Sequence, residues 1–385
     1  MQKHQMGWLP SRPDFRDYSI ETAVQKLQNQ GTPSAQEVIQ LKKATFAEDD
    51  NSPILNRAIQ LLQAPIHKSQ RKANSQEPYL VLPLKASANS NQYYPPLDYS
   101  ETSDDLYLPE SVDLRGLFSP VEKQGRLNSC TAHAGVALVE YFQRRAFGEY
   151  IDASPLFLYK TTRKLMQLTG DSGASIRYTM KAMVLFGIPP EEAYPYCVDA
   201  FDEEPSNFSY AYGQNYQAIN YFNIDRYNLS PEQILVRIRI ALAAGFPPMF
   251  GFTAYSSLFS EKTEKSGKIP YPANDEKMVG GHAVVAVGYD DKKLIRGSRT
   301  PGAFRIRNSW GQKWGKDGYG WLPYDYVLNR LAIDWWSLVK SEWVASENFG
   351  LTINLDGLLV GGAGDENRGP KPPVSLPPPY RNSQE

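Results

Sequence analysis

Near residue 245 the spacing of apolar side chains changes from a helical period to a two-residue one. Before that point, Val136, Val139, Phe142 and Ala146 follow Cys130 along one face of a predicted helix. Ser154-Pro155 is a cap with a first-turn proline and predicts a second helix through Leu168. A third is predicted from Ile176 to a stop at Gly187-Ile188-Pro189. Ser230-Pro231-Glu232-Gln233 is a capping box opening a fourth, ended by Gly245. After it, MFGF, HAVVAVGYD and AFRIRNS read as strands rich in aromatic and β-branched residues. Helices followed by strands predict an α+β fold of two packed subdomains with a cleft between them.

This patterned region is flanked by weaker sequence. Residues 1 to about 107 are polar and irregular, with short helices expected only in SAQEVIQLKKAT and PILNRAIQLLQ. Residues 85–107 turn to Ser, Asn, Asp, Tyr and Pro, a linker composition. The well-patterned domain is expected over 108–345. A C-terminal extension, 346–385, becomes Gly- and Pro-rich and is expected to be mostly disordered from about 361. A formal charge of −1 implies no nucleic-acid partner, and no apolar run reaches the ~20 residues of a membrane span. No secretory-type apolar stretch is seen at the N-terminus, so a cytoplasmic location is expected, with export by another route left open.

Two cysteines, Cys130 and Cys197, cannot form a disulfide framework. With His4, His67, His133 and His282 they match no ligand spacing, so neither metal nor cofactor is expected. Cys130 opens a predicted helix after the polar turn Gln124-Gly125-Arg126-Leu127-Asn128-Ser129, where unpaired amides favour thiolate over thiol. His282 follows Gly280-Gly281 as the first residue of an apolar strand, with room beside it. An imidazole beside a thiol can form a thiolate–imidazolium pair. Asn308, at the end of a strand, can accept the far ring N–H and fix the tautomer, with Trp310 shielding that bond from water. Taken singly, each of these residues has an ordinary structural reading: buried thiol, core histidine, turn asparagine, core tryptophan. His133, one turn after Cys130, is read as a packing or surface histidine, and Cys197 as a free or buried thiol.

Gln124 and Cys130 six residues apart, then GGHAVVAVGYDD, then RNSWGQKWGKDGYG, resemble the papain family of cysteine peptidases. LPESVDLRG resembles the opening of the mature enzymes and GIPPEEAYPY the segment after their third helix, so the likeness covers roughly 108–340. The resemblance implies a helical left half, an antiparallel β-barrel-like right half and a cleft between them. It implies Cys130 as nucleophile, His282 as acid/base, Asn308 as its orienter, and Gln124 with the Cys130 N–H as oxyanion hole. Gly173 and Ala174 would run beside a peptide or protein substrate, with Gly281 and Trp310 also lining the cleft. Leu127 and Thr131 depart from the usual Cys-Gly-Ser-Cys-Trp: a structural disulfide is lost and one cleft wall differs.

The expected activity is endopeptidase hydrolysis through a Cys130 acyl-enzyme. Residues 1–107 are expected to act as an intramolecular inhibitor, a divergent pro-segment of a bacterial-type zymogen; a permanent docking module is the competing reading. A silent peptide-binding protein and a peptidyl or acyl transferase are the alternatives on the same fold.

Overall fold

The computed structural model describes residues 5–10, 108–216, 220–226, 229–340, 351–353 and 359–361. The two expected N-terminal helices, the linker and the tail beyond 361 lie outside the described residues.

Four helices of ten residues or more form one half: α1 (Cys130–Phe147), α2 (Pro155–Leu165), α3 (Ile176–Leu185) and α4 (Pro231–Ala243). Their ends follow the local chemistry. Ser154 and Ser175 accept from the amides of Phe157 and Tyr178, and Ser230 and Gln233 complete a reciprocal capping box. Gly148 ends α1 at φ 82, a left-handed turn that lets its N–H reach Arg144 O. α2 stops at Leu165, short of the expected Leu168, because Gln167 turns to φ 58 and the Leu168 N–H folds back to Arg163 O. Gly135 lies where α1 meets its neighbours: a β carbon there would stand 2.9 Å from Leu158 and 3.1 Å from Thr179.

The other half is a seven-stranded antiparallel sheet built from β1 (Ser111–Asp113), β2 (Asn220–Asn223), β3 (Met249–Tyr255), β4 (Met278–Asp290), β5 (Ala303–Arg307), β6 (Tyr319–Pro323) and β7 (Ala332–Val339). The order is β2-β7-β3-β4-β5-β6, with β1 also on β4. The sheet has the expected antiparallel pairing but is not closed into a barrel. β2 and β6 end it at opposite edges, and Ile269 donates to Trp321 O along the β6 side. β4 begins at Met278, so His282 lies inside the strand opposite Phe252, not at its first residue. β3 pairing extends down to Tyr255–Met278, which carries the ladder past the glycine pair. The helical half docks through α1 on β4, and Phe250 stacked on Trp335 at 3.8 Å fills the sheet's core.

Substituting Ser230→Ala removes the hydroxyl that accepts from the Gln233 amide at 3.2 Å, and leaves the reciprocal bond from the residue 230 backbone N–H to Gln233 Oε1 at 2.9 Å. A loss of about 1 kcal/mol is expected. Urea unfolding measures it, and an unchanged midpoint would show that the Ser230 hydroxyl contributes nothing to the cap.

Candidate active site

Cys130 is the first residue of α1 and is fully buried. Its N-cap, Ser129, does not close the helix end: the hydroxyl lies 2.7 Å from Tyr196 Oη and 3.3 Å from His133 Nδ1. The first amides therefore remain available, and those of Cys130 and Thr131 are directed at the thiol, joined by the N–H groups of Ala283 and Gly7. All four favour thiolate. Burial nevertheless outweighs them and pushes the thiol up to about 11. The thiolate expected from a helix N-terminus is thus not how the sulfur stands in this covered cleft, because losing water costs a charge more than four amide dipoles return.

His282 places Nε2 2.8 Å from Asn308 Oδ1. The Ser309 N–H donates to the same oxygen at 2.8 Å, which identifies that atom as the amide oxygen. Nε2 must then be the proton-bearing nitrogen of the neutral ring, leaving Nδ1 as the basic one. Trp310, 3% exposed, stacks on the imidazole at 4.8 Å and 27°. The cover expected of Trp310 is therefore in place over the His282–Asn308 pair.

Gln124 is held from two sides. Ser309 Oγ donates to its Oε1 at 2.5 Å, and its own backbone N–H donates to Ser309 O at 2.9 Å. Nε2 donates to Leu127 O at 2.7 Å and to Gln5 O at 3.3 Å. Across the cleft, Gly173 takes φ 77 and donates to Tyr159 Oη at 3.0 Å. Tyr159 in turn donates to Asp171, which also accepts the Asn128 amide at 2.8 Å. One carboxylate therefore ties the catalytic turn to the Gly173-Ala174 edge. Neither Asp171, Tyr159 nor Ser309 was picked out by the sequence, since no periodicity or motif separates a buttress from a loop residue.

Residues 5–10 lie in this cleft. Ala174 donates to Gly7 O at 2.7 Å and accepts from Leu9 N at 2.9 Å, with Trp8 paired to Ala174 in the parallel sense. Trp8 N donates to Gly281 O at 3.3 Å, and Trp310 Nε1 donates to Gln5 O at 3.2 Å. Any β carbon on Gly7 would collide with the backbone of Asn128. Every residue expected to line the cleft thus touches this strap or its neighbours. His133 does not: it is buried, turned to Ser129 O at 3.1 Å, and burial lowers it to about 4. Cys197 is an exposed free thiol.

The model of the papain family cysteine protease matches residues 108–330. The chain belongs to that family. Its catalytic class is therefore that of a cysteine-type peptidase. It is 34% identical over 234 residues to an uncharacterized peptidase C1-like protein of Acanthamoeba polyphaga mimivirus, covering 59% of this chain and 71% of that one. It is 31% identical over 219 residues to cysteine proteinase 3 of Solanum lycopersicum, spanning 56% of each chain. Among solved structures it is similar to xylellain, a cysteine protease from Xylella fastidiosa, with a TM-score of 0.58 and 25% identity over 88% of this chain and 99% of that one. The papain-like fold expected from the sequence is the one observed.

For this papain-family chain, Gln124→Ala should lower kcat by about 10²–10³, the usual loss for one oxyanion donor. Asn308→Ala should be milder than His282→Ala, because the ring keeps its basic nitrogen and loses only its fixed orientation. Steady-state kinetics on a quenched peptide reads both, and equal losses for Asn308→Ala and His282→Ala would contradict the orienting role.

Proposed function

We propose that this chain is a cysteine endopeptidase that hydrolyses peptide bonds through a Cys130 acyl-enzyme and is made latent by its own N-terminal segment. The Cys130 sulfur attacks the scissile carbonyl carbon, its proton having passed to His282 Nδ1. The carbonyl oxygen gathers charge where Gln124 Nε2 and the Cys130 amide can donate to it. His282 gives the proton to the leaving amine, and a thioester remains. Water then attacks the thioester, losing its proton to His282, and the acid product leaves as the thiol is restored.

One observation carries the latent half of the reading: the strap occupies the polar groups that a substrate would need. Gln5 O takes the Gln124 amide, Gly7 O and Leu9 N take both groups of Ala174, and Gly7 faces the sulfur. Gly7 presents an N–H to the thiol, not a carbonyl carbon, so the sulfur has nothing to attack. Latency would end by displacement of the strap or by cutting between 85 and 108, which makes residues 1–107 a pro-segment rather than a docking module.

Full-length Gly7→Val, whose side chain cannot sit against Asn128, should expel the strap. Burial is the largest cause raising the thiol, so exposure should move its titration below about 11 and raise alkylation by iodoacetamide at neutral pH. Peptide hydrolysis should rise in parallel and vanish in Gly7→Val/Cys130→Ala. Hydrolysis surviving the loss of Cys130 would reject the nucleophile, and an intact, uncut chain as active as Gly7→Val would reject latency. Sequencing new N-termini during activation places the cut.

A further inference from the structure

The side chain of Trp8 is the deepest part of the strap, 6% exposed, and it lies in a gap in the sheet. In the β3–β4 register Gly251 faces Ala283 and Thr253 faces Gly281, so Gly251 and Gly281 share one face of the sheet. The indole covers both: a β carbon on Gly251 would stand 2.0 Å from its ring, and one on Gly281 2.7 Å from it. At the far end, Trp8 Nε1 donates to Asp334 Oδ2 at 3.3 Å. Asp334 is a built acceptor. It sits at φ 66, its N–H donates to Asp225 Oδ2 at 2.7 Å, and its other oxygen accepts from Trp336 Nε1 at 2.7 Å.

From this we infer that Gly251, Gly281 and Asp334 form a specificity pocket that selects a tryptophan side chain in the substrate residue paired with Ala174. The inference rests on the peptidase reading above and names its substrate class. Two missing side chains on neighbouring strands make a slot of the area of a flat bicycle. A phenyl ring fills part of it but offers no N–H to Asp334 Oδ2. An aliphatic side chain neither matches the flat slot nor donates to Asp334. A guanidinium could donate to Asp334, beside which Asp225 also stands, but its narrow stem leaves the slot over Gly251 and Gly281 unfilled. The strap thus uses the side chain for which the pocket is shaped.

Binding is read without turnover in the full-length chain carrying Trp8→Ala. Tripeptide aldehydes with Trp, Phe, Leu or Arg at each position in turn compete against iodoacetamide for Cys130. At one position Trp should protect about tenfold better than Phe, as expected for a hydrogen bond to a carboxylate, and better still than Leu or Arg. Adding Asp334→Gly, a residue that tolerates φ 66, should erase the advantage of Trp over Phe, whereas Asp334→Asn retains an oxygen acceptor and should keep part of it. Gly251→Val should exclude Trp while admitting small side chains. Equal protection by Phe, a preference for Leu or Arg, or a Trp advantage that survives Asp334→Gly would each overturn the pocket. Should circular dichroism show Asp334→Gly unfolded, Asp334→Asn and Gly251→Val decide in its place. Trp-selective protection in a chain that cleaves no peptide rejects the peptidase reading and keeps the pocket; cleavage with no Trp preference rejects the pocket alone.

Discussion

The amino terminus of α1 is pressed against β4, and the chemistry of the molecule follows from that contact. It brings the Cys130 sulfur to the amide of Ala283, the residue after His282, across 153 positions of sequence. β5 then runs beside β4 and delivers Asn308 to the imidazole at 2.8 Å. Gln124 is fixed by Ser309, from the same turn as Asn308. Three chain segments therefore meet at one point, and Ser309 links Gln124 to Asn308, the residues proposed as oxyanion donor and base-orienter. A shift of α1 along β4 would disturb all of them together, which is why well-packed helices and strands, not loops alone, carry such a site.

Two opposing effects set the state of the thiol. The open helix end offers amides that favour a charge, while the strap and the surrounding core remove the water that a charge needs. Burial dominates, and the sulfur is held as a thiol. Under the latency proposed above, the same atoms would support an inactive and an active state that differ only in cover. On that proposal none of Cys130, His282, Asn308 and Gln124 would have to move, and only residues 5–10 would have to leave.

The candidate catalytic residues were legible in the sequence because each carries its own local signal: Cys130 at a helix start, His282 behind two glycines, Asn308 at a strand end. The caps at Ser154 and Ser230 were equally readable, being bonds within four residues, single at Ser154 and reciprocal at Ser230. β7 went unread, since AIDWWSLV has no clean alternation and both of its tryptophans are buried. The strap went unread for a different reason. Its six residues carry no period, and their partners are far away, as with Trp8 and Asp334, separated by 326 positions.

What the sequence determined by itself was which side chains could do chemistry and which elements would carry them, because capping, periodicity and turn residues act over a few bonds. The tertiary structure alone decided what fills the gap left by Gly251 and Gly281, and whether the sulfur is wet or dry. Both depend on surfaces assembled from distant segments, and solvation of a charge is a property of everything packed around it.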